Sequence, residues 1–227
     1  MPLSFDGQRI LILGAGVTGN AVARSLTKRG AVVSMADENP AAQSEHRVIG
    51  AKDVVIKDFD SVVVSPGWRQ DHPLVVAAKA SGLSLLNEVD LAWQIKSEIA
   101  PGQKWLALTG TNGKTTTVEM VAAMLKRGGL KATACGNVGE TVIEVVDRAD
   151  AFEVLVLELS SFQLHWSKQA QFVASAILNI ADDHIDWHGS FDEYAKAKLT
   201  ILDRATTAVL NADEGEIVKR TSHWQGR

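Results

Sequence analysis

The chain has 227 residues, of which 46% are hydrophobic and 22% charged, with a formal net charge of −4; this is ordinary for a folded α/β protein and argues against a nucleic-acid-binding surface. Cys135 is its single cysteine, which excludes a disulfide framework within the chain and fits a reducing cytosol. No apolar run approaches the length of a membrane span, and residues 1–6 lack the basic and apolar regions of a signal peptide.

The first predicted elements form a nucleotide-binding pattern. A strand over residues 9–13 runs into the turn Gly14-Ala-Gly-Val-Thr-Gly19, a helix follows, and a strand over 31–35 leads to Asp37. Strand, G-x-G-x-x-G turn, helix and acid make up the dinucleotide fingerprint, which taken alone predicts NAD binding. A Rossmann-like unit that binds another ligand, or none, is an equal alternative.

The rest of the first domain supplies a second loop. Strands are predicted over 61–64 and 83–86, with a possible short strand over 53–56, and helices over 73–80 and 88–95. The strand over 61–64 ends in Ser65-Pro66-Gly67. Because ligands meet the carboxyl ends of parallel strands, this loop is expected at the same rim as Gly14–Gly19, although a plain turn is the alternative. The polar stretch 96–104 contains Pro-Gly and is predicted to link two domains.

The second domain is organised around Gly110-Thr-Asn-Gly-Lys-Thr-Thr116. A strand over 105–108 precedes this turn, and a helical apolar pattern follows it as far as Gly128. The layout indicates a phosphate-binding loop, in which Lys114 supplies a movable charge and the Thr115 hydroxyl can bind Mg²⁺. The loop is the shorter G-x-x-G-K-T form, and a glycine-rich turn with an exposed lysine is the alternative.

Polar residues stand at the ends of the next strands. A strand over 132–135 ends in Gly136-Asn137-Val138-Gly139, a helix is predicted over 141–146, and a strand over 154–157 ends at Glu158. An acid at the end of an apolar strand, downstream of a phosphate loop, is the usual second anchor for Mg²⁺. A rim glutamate exposed to water is the alternative.

The C-terminal part begins with a predicted strand over 174–180 and the polar segment 181–190, which holds two histidines and three aspartates and suggests a site. Helix capping is the alternative, since Ser190 and Glu193 form a capping box before a predicted helix over 192–202. That helix carries Tyr194 and Lys198 one turn apart. A strand over 207–210 and a helix from Asp213 complete the pattern.

These motifs resemble the Mur ligases, the ATP-dependent amide-forming enzymes of peptidoglycan precursor synthesis. The resemblance rests on Thr109–Thr116, Gly136–Gly139, Glu158–Gln163 and Asp183-His184 with Lys198, and it extends from Gly14 to about Asn211. Glu158-Leu-Ser-Ser-Phe-Gln-Leu164 has the form typical of the members that add D-glutamate.

The resemblance implies an α/β fold with two domains. A Rossmann-like parallel-sheet domain over 1–95 would hold the UDP part of a sugar nucleotide instead of NAD. A linker over 96–104 would join it to a P-loop-type mononucleotide-binding domain over 105–227, which binds ATP. The family has a third, C-terminal domain that binds the incoming amino acid, so we expect this chain to be a fragment that lacks it.

The resemblance also implies roles for individual residues. ATP would be bound by Gly110, Thr111, Asn112, Gly113, Lys114, Thr115 and Thr116. Two Mg²⁺ ions would be held, one by Thr115 and Glu158 and the other by His184 and Lys198. The residues expected to contact the substrate are Val17, Thr18, Asp37, Ser65, Pro66 and Gly67 on the UDP side, and Asn137, Ser160, Gln163 and His184 on the MurNAc-alanine side.

Lys114, His184 and Lys198 are the implied catalytic residues. An ammonium group has no acceptor for a metal, and in this family the lysine at the position of Lys198 is carbamylated, which converts it into an oxygen ligand. Carbamylation requires the neutral amine and therefore a depressed pKa. The alternative for Lys198 is an ordinary exposed helix lysine.

The implied activity is addition of D-glutamate to UDP-N-acetylmuramoyl-L-alanine through an acyl phosphate, by a monomer in the bacterial cytoplasm. Two other classes stay open at this point. One is an NAD-binding oxidoreductase or redox sensor with an additional P-loop nucleotide site. The other is a module that binds nucleotides without catalysis.

Overall fold

The computed structural model describes residues 4–39, 41–148 and 151–226. Of the stretch 1–6, for which no signal peptide is predicted, residues 1–3 lie outside the described residues. The described chain forms two five-stranded parallel sheets, with strand orders β3-β2-β1-β4-β5 and β10-β9-β6-β8-β7. This confirms the predicted fold class of two successive parallel-sheet α/β domains.

The first sheet is built around an apolar central strand. Leu11 and Leu13 on one face of β1, and Ile10 and Ile12 on the other, are all fully buried, as expected for a parallel strand covered by helices on both sides. The strands are β1 (Arg9–Leu13), β2 (Val32–Asp37), β3 (Arg47–Gly50), β4 (Ser61–Val64) and β5 (Ser84–Leu86), and the helices are α1 (Val17–Thr27), α2 (Pro73–Ala80) and α3 (Glu88–Ile99).

Two sequence predictions are wrong in this domain. The strand expected over 53–56 is replaced by 3-10 turns over Ala51–Asp53 and Ile56–Asp58, while β3 forms earlier and pairs with β2 through Gly50 and Asp37. Val54 and Ile56 are partly buried and pack against the core, whereas Val55 is exposed, so the apolar pattern reflects partial burial without a strand. Helix α3 runs to Ile99, four residues past its predicted end; the first added residue, Lys96, is buried and its Nζ donates to the Pro101 carbonyl at 3.1 Å.

The second sheet follows the prediction in most elements. Its strands are β6 (Lys104–Thr109), β7 (Ala132–Gly136), β8 (Val154–Glu158), β9 (Phe172–Ile177) and β10 (Ala205–Leu210), and its helices are α4 (Lys114–Arg127), α5 (Val142–Val146), α6 (Ser161–Trp166), α7 (Ile185–His188), α8 (Phe191–Leu199) and α9 (Gly215–Thr221).

Three details of the C-terminal part differ. Strand β9 ends at Ile177, three residues early, because its partner β6 ends opposite it at Thr109. Helix α8 ends at Leu199 and is followed by a 3-10 turn over Leu202–Arg204. Of the predicted capping box, the structure shows the half in which the Ser190 hydroxyl accepts from the Glu193 N–H at 3.2 Å.

The two domains share one buried core, to which strands and helices of both sheets contribute. At their junction the Asp90 carboxylate of α3 accepts the backbone N–H groups of residues 168–170, at 2.6–3.0 Å, and the Ser167 hydroxyl at 2.7 Å. The ion pair Arg24–Glu144 joins α1 to α5, and Arg29–Asp147 joins the residues that follow these two helices. This packing brings the strand ends of both sheets toward a common cleft.

Within the part of the chain that the structure describes, no helix has the length and apolar character needed to cross a membrane.

Candidate functional site

The loop between β6 and α4 has the backbone of a phosphate-binding turn. Gly113 adopts φ +78 as the residue before α4, a conformation that favours glycine. A Cβ on Gly110 would lie 3.1 Å from Leu178 Cβ, so the loop packs tightly on the neighbouring strand end. The 14-residue helix α4 then begins at Lys114, with its positive dipole end and first N–H groups at the loop.

Asn179, which the sequence analysis did not single out, holds this loop in shape. Its Oδ1 accepts the N–H groups of Thr111 and Asn112 at 3.0 and 2.8 Å, and its Nδ2 donates to the Asn112 carbonyl at 3.1 Å. The Thr111 hydroxyl is hydrogen bonded to Tyr194 Oη at 2.9 Å. A polar residue near the carboxyl end of a predicted parallel strand was the available signal.

Lys114 folds back over its own loop. Its Nζ donates to the Thr111 carbonyl at 2.9 Å, which leaves the charge at the mouth of the loop. A phosphate bound there would offer this ammonium a stronger, charge-assisted acceptor than a neutral carbonyl.

Glu158 lies beside the loop, as its position at the end of β8 predicts. The carboxylate is 1% exposed, which excludes the exposed rim glutamate. The Thr115 hydroxyl donates to Oε2 at 2.8 Å and Asn137 Nδ2 donates to Oε1 at 3.0 Å. Both direct donors are neutral, so the buried negative charge has no cationic hydrogen-bond partner in the described chain, and a hard cation that prefers oxygen ligands fits this corner.

Lys198 is a buried amine, and the exposed-lysine alternative is therefore wrong. Its residue is 2% exposed, and Nζ donates to the Gly110 carbonyl at 2.8 Å and lies 4.7 Å from the Tyr194 ring centroid. Burial, assisted by the charge of Lys114, lowers the pKa of Lys198 to about 7. A substantial share of the neutral amine is then present at neutral pH.

The two histidines of segment 181–190 have different surroundings. His184 is half exposed, adopts the left-handed φ of +49, and contacts the site through its ring, 4.7 Å from Phe162 and 6.5 Å from Tyr194. His188 is buried and hydrogen bonded to the Ser161 hydroxyl at 3.0 Å. Burial, followed by the charge of His165, lowers the pKa of His188 to about 4, so its imidazole is neutral at pH 7.

The four predicted metal ligands are thus only partly assembled. Thr115 and Glu158 are in direct contact, Lys198 reaches the same loop at Gly110, and His184 hydrogen-bonds none of the other three in the described chain. No group of three His, Cys, Asp or Glu side chains that could hold a metal is found among residues 4–39, 41–148 and 151–226. Two of the four predicted ligands, Thr115 and Lys198, do not belong to these four residue types.

A cleft of about 410 Å³ between the domains collects most of the predicted substrate residues. Eight of the ten line it, from both domains: Val17, Thr18, Ser65, Pro66, Gly67, Asn137, Ser160 and Gln163. Gly14 and Ser65 are in close contact, since a Cβ on Gly14 would lie 2.9 Å from Ser65 Oγ. The expected common rim of the two first-domain loops is confirmed. Phe162 and Thr141 also line the cleft and were not predicted.

Ser160 and Gln163 have a local structural role as well. They form a reciprocal capping box at the start of α6, in which the Ser160 hydroxyl accepts the Gln163 N–H and Gln163 Oε1 accepts the Ser160 N–H. Capping fixes both side chains at the cleft wall.

Asp37 and His184 lie outside this cleft. Asp37 lines an adjoining pocket of about 620 Å³ that shares Gly67 with the cleft. Its carboxylate accepts the N–H groups of Ala15 and Asn39 at 2.7 and 2.8 Å. The acid of the dinucleotide fingerprint therefore already anchors the glycine turn itself.

Comparison with known proteins shows the family. Residues 108–226 match the Mur ligase middle domain, and residues 8–87 match the Mur ligase MurD-like, N-terminal domain. A protein named UDP-N-acetylmuramoylalanine--D-glutamate ligase from Corynebacterium efficiens is 44% identical over 98% of this chain, and one of the same name from Thermobifida fusca is 43% identical over 92%. This chain belongs to the Mur ligase family, and it spans about half the length of these curated relatives, 48% and 47%.

Solved structures show the same fold at low identity. The UDP-N-acetylmuramate:L-alanyl-gamma-D-glutamyl-meso-diaminopimelate ligase from Neisseria meningitides has a TM-score of 0.60 at 17% identity, covering 97% of this chain and 76% of that chain. The UDP-N-acetylmuramate-alanine ligase from Thermotoga maritima has a TM-score of 0.54 at 23% identity, covering 94% and 51%. The NAD-dependent alternative is not supported by these comparisons.

Proposed function

We propose that this chain supplies the sugar-nucleotide-binding and ATP-binding parts of a ligase that adds D-glutamate to UDP-N-acetylmuramoyl-L-alanine. The observation that carries the proposal is the interdomain cleft. It runs from the glycine turn at the start of α1 to Asn137, whose side chain touches Glu158 beside the phosphate loop. A long substrate with a diphosphate at one end and a carboxylate at the other fits such an arrangement.

The proposed reaction has two steps. The terminal carboxylate of UDP-N-acetylmuramoyl-L-alanine attacks the γ-phosphorus of ATP, and a new O–P bond gives the acyl phosphate. The bond between the γ-phosphorus and the oxygen that bridges it to the β-phosphorus breaks, and ADP leaves. The amine of D-glutamate then attacks the acyl carbon and forms a C–N bond. The bond between the acyl carbon and the phosphate oxygen breaks, phosphate leaves, and the nitrogen loses a proton. Two anions meet in the first step, so positive charge has to be concentrated between them.

The residues of this chain divide that task. Lys114 moves from the Thr111 carbonyl to a phosphate oxygen, and the N–H groups at the start of α4 orient the phosphate chain. Thr115 and Glu158 would hold one Mg²⁺, while His184 and a carbamylated Lys198 would hold the second. When bound, the metal ions neutralise charge between the two reacting anions. The lowered pKa of Lys198 supports the carbamate, because the neutral amine is the form that reacts with CO₂.

The first domain binds the other end of the substrate. The proposed UDP side comprises the α1 turn with the Ser65–Gly67 rim and Asp37, and the MurNAc-alanine side comprises Asn137, Ser160, Gln163 and His184. We further propose that the whole protein acts as a monomer in the bacterial cytoplasm, with no membrane or nucleic-acid partner.

The test is turnover by the full-length protein. ADP formation should require UDP-N-acetylmuramoyl-L-alanine, D-glutamate and Mg²⁺ together, and mass spectrometry should show the D-glutamyl product; L-glutamate is the matched control. In calorimetry, UDP-N-acetylmuramoyl-L-alanine should bind and NAD should not. ADP release that ignores D-glutamate, or NAD binding tighter than the UDP-sugar, would contradict the proposal.

A further inference from the structure

The first-domain segment 65–69 is tied to the second domain by three hydrogen bonds. Trp187 Nε1 donates to the Gly67 carbonyl at 3.1 Å, and Trp166 Nε1 donates to the Trp68 carbonyl at 3.2 Å. In the opposite direction, Arg69 Nη1 donates to the Asp186 carbonyl at 2.7 Å. The rim that lines the cleft is therefore held from outside its own domain.

Two of these three bonds end on the short helix α7, which starts next to His184. The Trp187 N–H donates back to the His184 carbonyl at 3.1 Å, so both residues belong to one turn. His184 is the one non-glycine residue with positive φ among the described residues. A single turn has little freedom to let one end move while the other stays in place.

Aromatic packing makes this turn stiff. The Phe162 ring lies 4.9 Å from Trp187 and 4.7 Å from His184, measured between ring centroids, and Phe162 itself lines the cleft. At the other end of the turn, the His188 imidazole is hydrogen bonded to the Ser161 hydroxyl of α6. Through these contacts the turn of Trp187 is bonded both to Gly67 and to the carbonyl of His184.

We propose that Trp187 is a positioning residue that couples binding of the sugar nucleotide at the Ser65–Gly67 rim to the placement of His184. The proposal rests on the proposed function, in which the rim holds the UDP side and His184 serves the metal–nucleotide side. Trp187 acts through the Gly67 carbonyl and through its own turn. Binding of the UDP-sugar and of the metal–nucleotide complex should therefore favour each other.

Trp166 provides a matched control. Its indole N–H bonds the same first-domain segment at a similar distance, but it sits on α6, which carries none of the proposed metal ligands. Trp166→Phe and Trp187→Phe remove the same chemical group and keep an aromatic ring. Only the second change removes a hydrogen bond that joins segment 65–69 directly to the turn of His184.

The experiment measures coupling in the full-length protein by calorimetry. The Kd for UDP-N-acetylmuramoyl-L-alanine is determined with and without saturating Mg²⁺ and a non-hydrolysable ATP analogue. We expect a ratio of at least about fivefold in the wild type, equal when measured in the reverse direction. Both tryptophan variants should weaken binding of the UDP-sugar alone by roughly three- to tenfold. The ratio should fall toward one in Trp187→Phe and stay at the wild-type value in Trp166→Phe.

Arg69→Met tests the same link from the first domain. Arg69 is exposed, so the variant is expected to fold, and the coupling ratio should again fall. A wild-type ratio of one, or equal ratios in the wild type and Trp187→Phe, would overturn the inference. So would equal loss of coupling in both tryptophan variants. A wild type that does not bind the UDP-sugar at all would instead overturn the proposed function on which the inference rests.

Discussion

Glu88 places a carboxyl group in the packed junction between the two domains. It is 2% exposed, and its Oε1 accepts the Ile143 N–H at 2.7 Å. Burial raises the pKa of Glu88 from 4.5 to about 7, against the opposing effect of the backbone N–H groups of Ile143 and Val142, and the charge of Glu144 raises it further. The folded protein therefore holds this proton over a pH range in which the unfolded chain releases it.

The sign of the effect on stability follows from that difference. A group with a raised pKa in the folded state contributes stability that is fully present below its unfolded pKa. That contribution is lost as the pH rises through the folded value. For Glu88 the window lies between pH 4.5 and about 7. At 1.36 kcal/mol per pH unit, the full cost of ionising the buried group is about 3 kcal/mol.

Glu88→Gln removes the ionisable proton and keeps a similar shape with one acceptor oxygen. Relative to the wild type, the variant should gain about 2–3 kcal/mol in free energy of unfolding between pH 5 and pH 8. Differences in how the amide meets the two N–H groups add a constant that does not depend on pH. The pH dependence of the difference isolates the buried charge.

The assay is urea unfolding of wild type and variant at pH 5, 6, 7 and 8, with equal m-values required for the comparison. Glu45→Gln is the matched control, because Glu45 is exposed and its loss should change stability by less than about 0.5 kcal/mol at every pH. Stability curves of wild type and Glu88→Gln that run parallel across this range would refute the reasoning.

Three further outcomes are expected. Lys114→Ala in the full-length protein should slow acyl-phosphate formation by about 10²–10³-fold, because one preorganised charge is lost, while calorimetry shows unchanged affinity for the UDP-sugar; near wild-type turnover would contradict its role. Lys198→Ala should lose activity that added short carboxylates partly restore, whereas Lys198→Arg should stay inactive; full activity in CO₂-free buffer would exclude the carbamate. Asp90→Asn should cost about 3 kcal/mol in urea unfolding, because the amide cannot accept all the N–H groups that the carboxylate accepts; a loss below about 0.5 kcal/mol would show that this junction is not stabilising.

The sequence alone was enough to predict the local parts of the site. Glycine turns can be recognised in the sequence because a positive φ or a close approach of other atoms disfavours residues with a side chain, as at Gly113 and Gly14. Apolar strands that run into a glycine or a polar residue predicted the ends of β1, β4 and β8, and parallel sheets collect ligands at that edge. These signals depend on a few neighbouring residues, which is why Glu158 lies where the pattern put it.

Only the tertiary structure decided which of these parts meet. Three hydrogen bonds join residues that are 67–120 positions apart in the chain: Lys198 to Gly110, Asn112 to Asn179, and Trp187 to Gly67. Periodicity within one segment carries no information on such partners. The same limit explains the strand misplaced at 53–56, where Val54 and Ile56 are partly buried by contacts with other elements. Local conformation is dictated by the backbone chemistry of a few adjacent residues, whereas burial and proximity are set by how the whole chain packs.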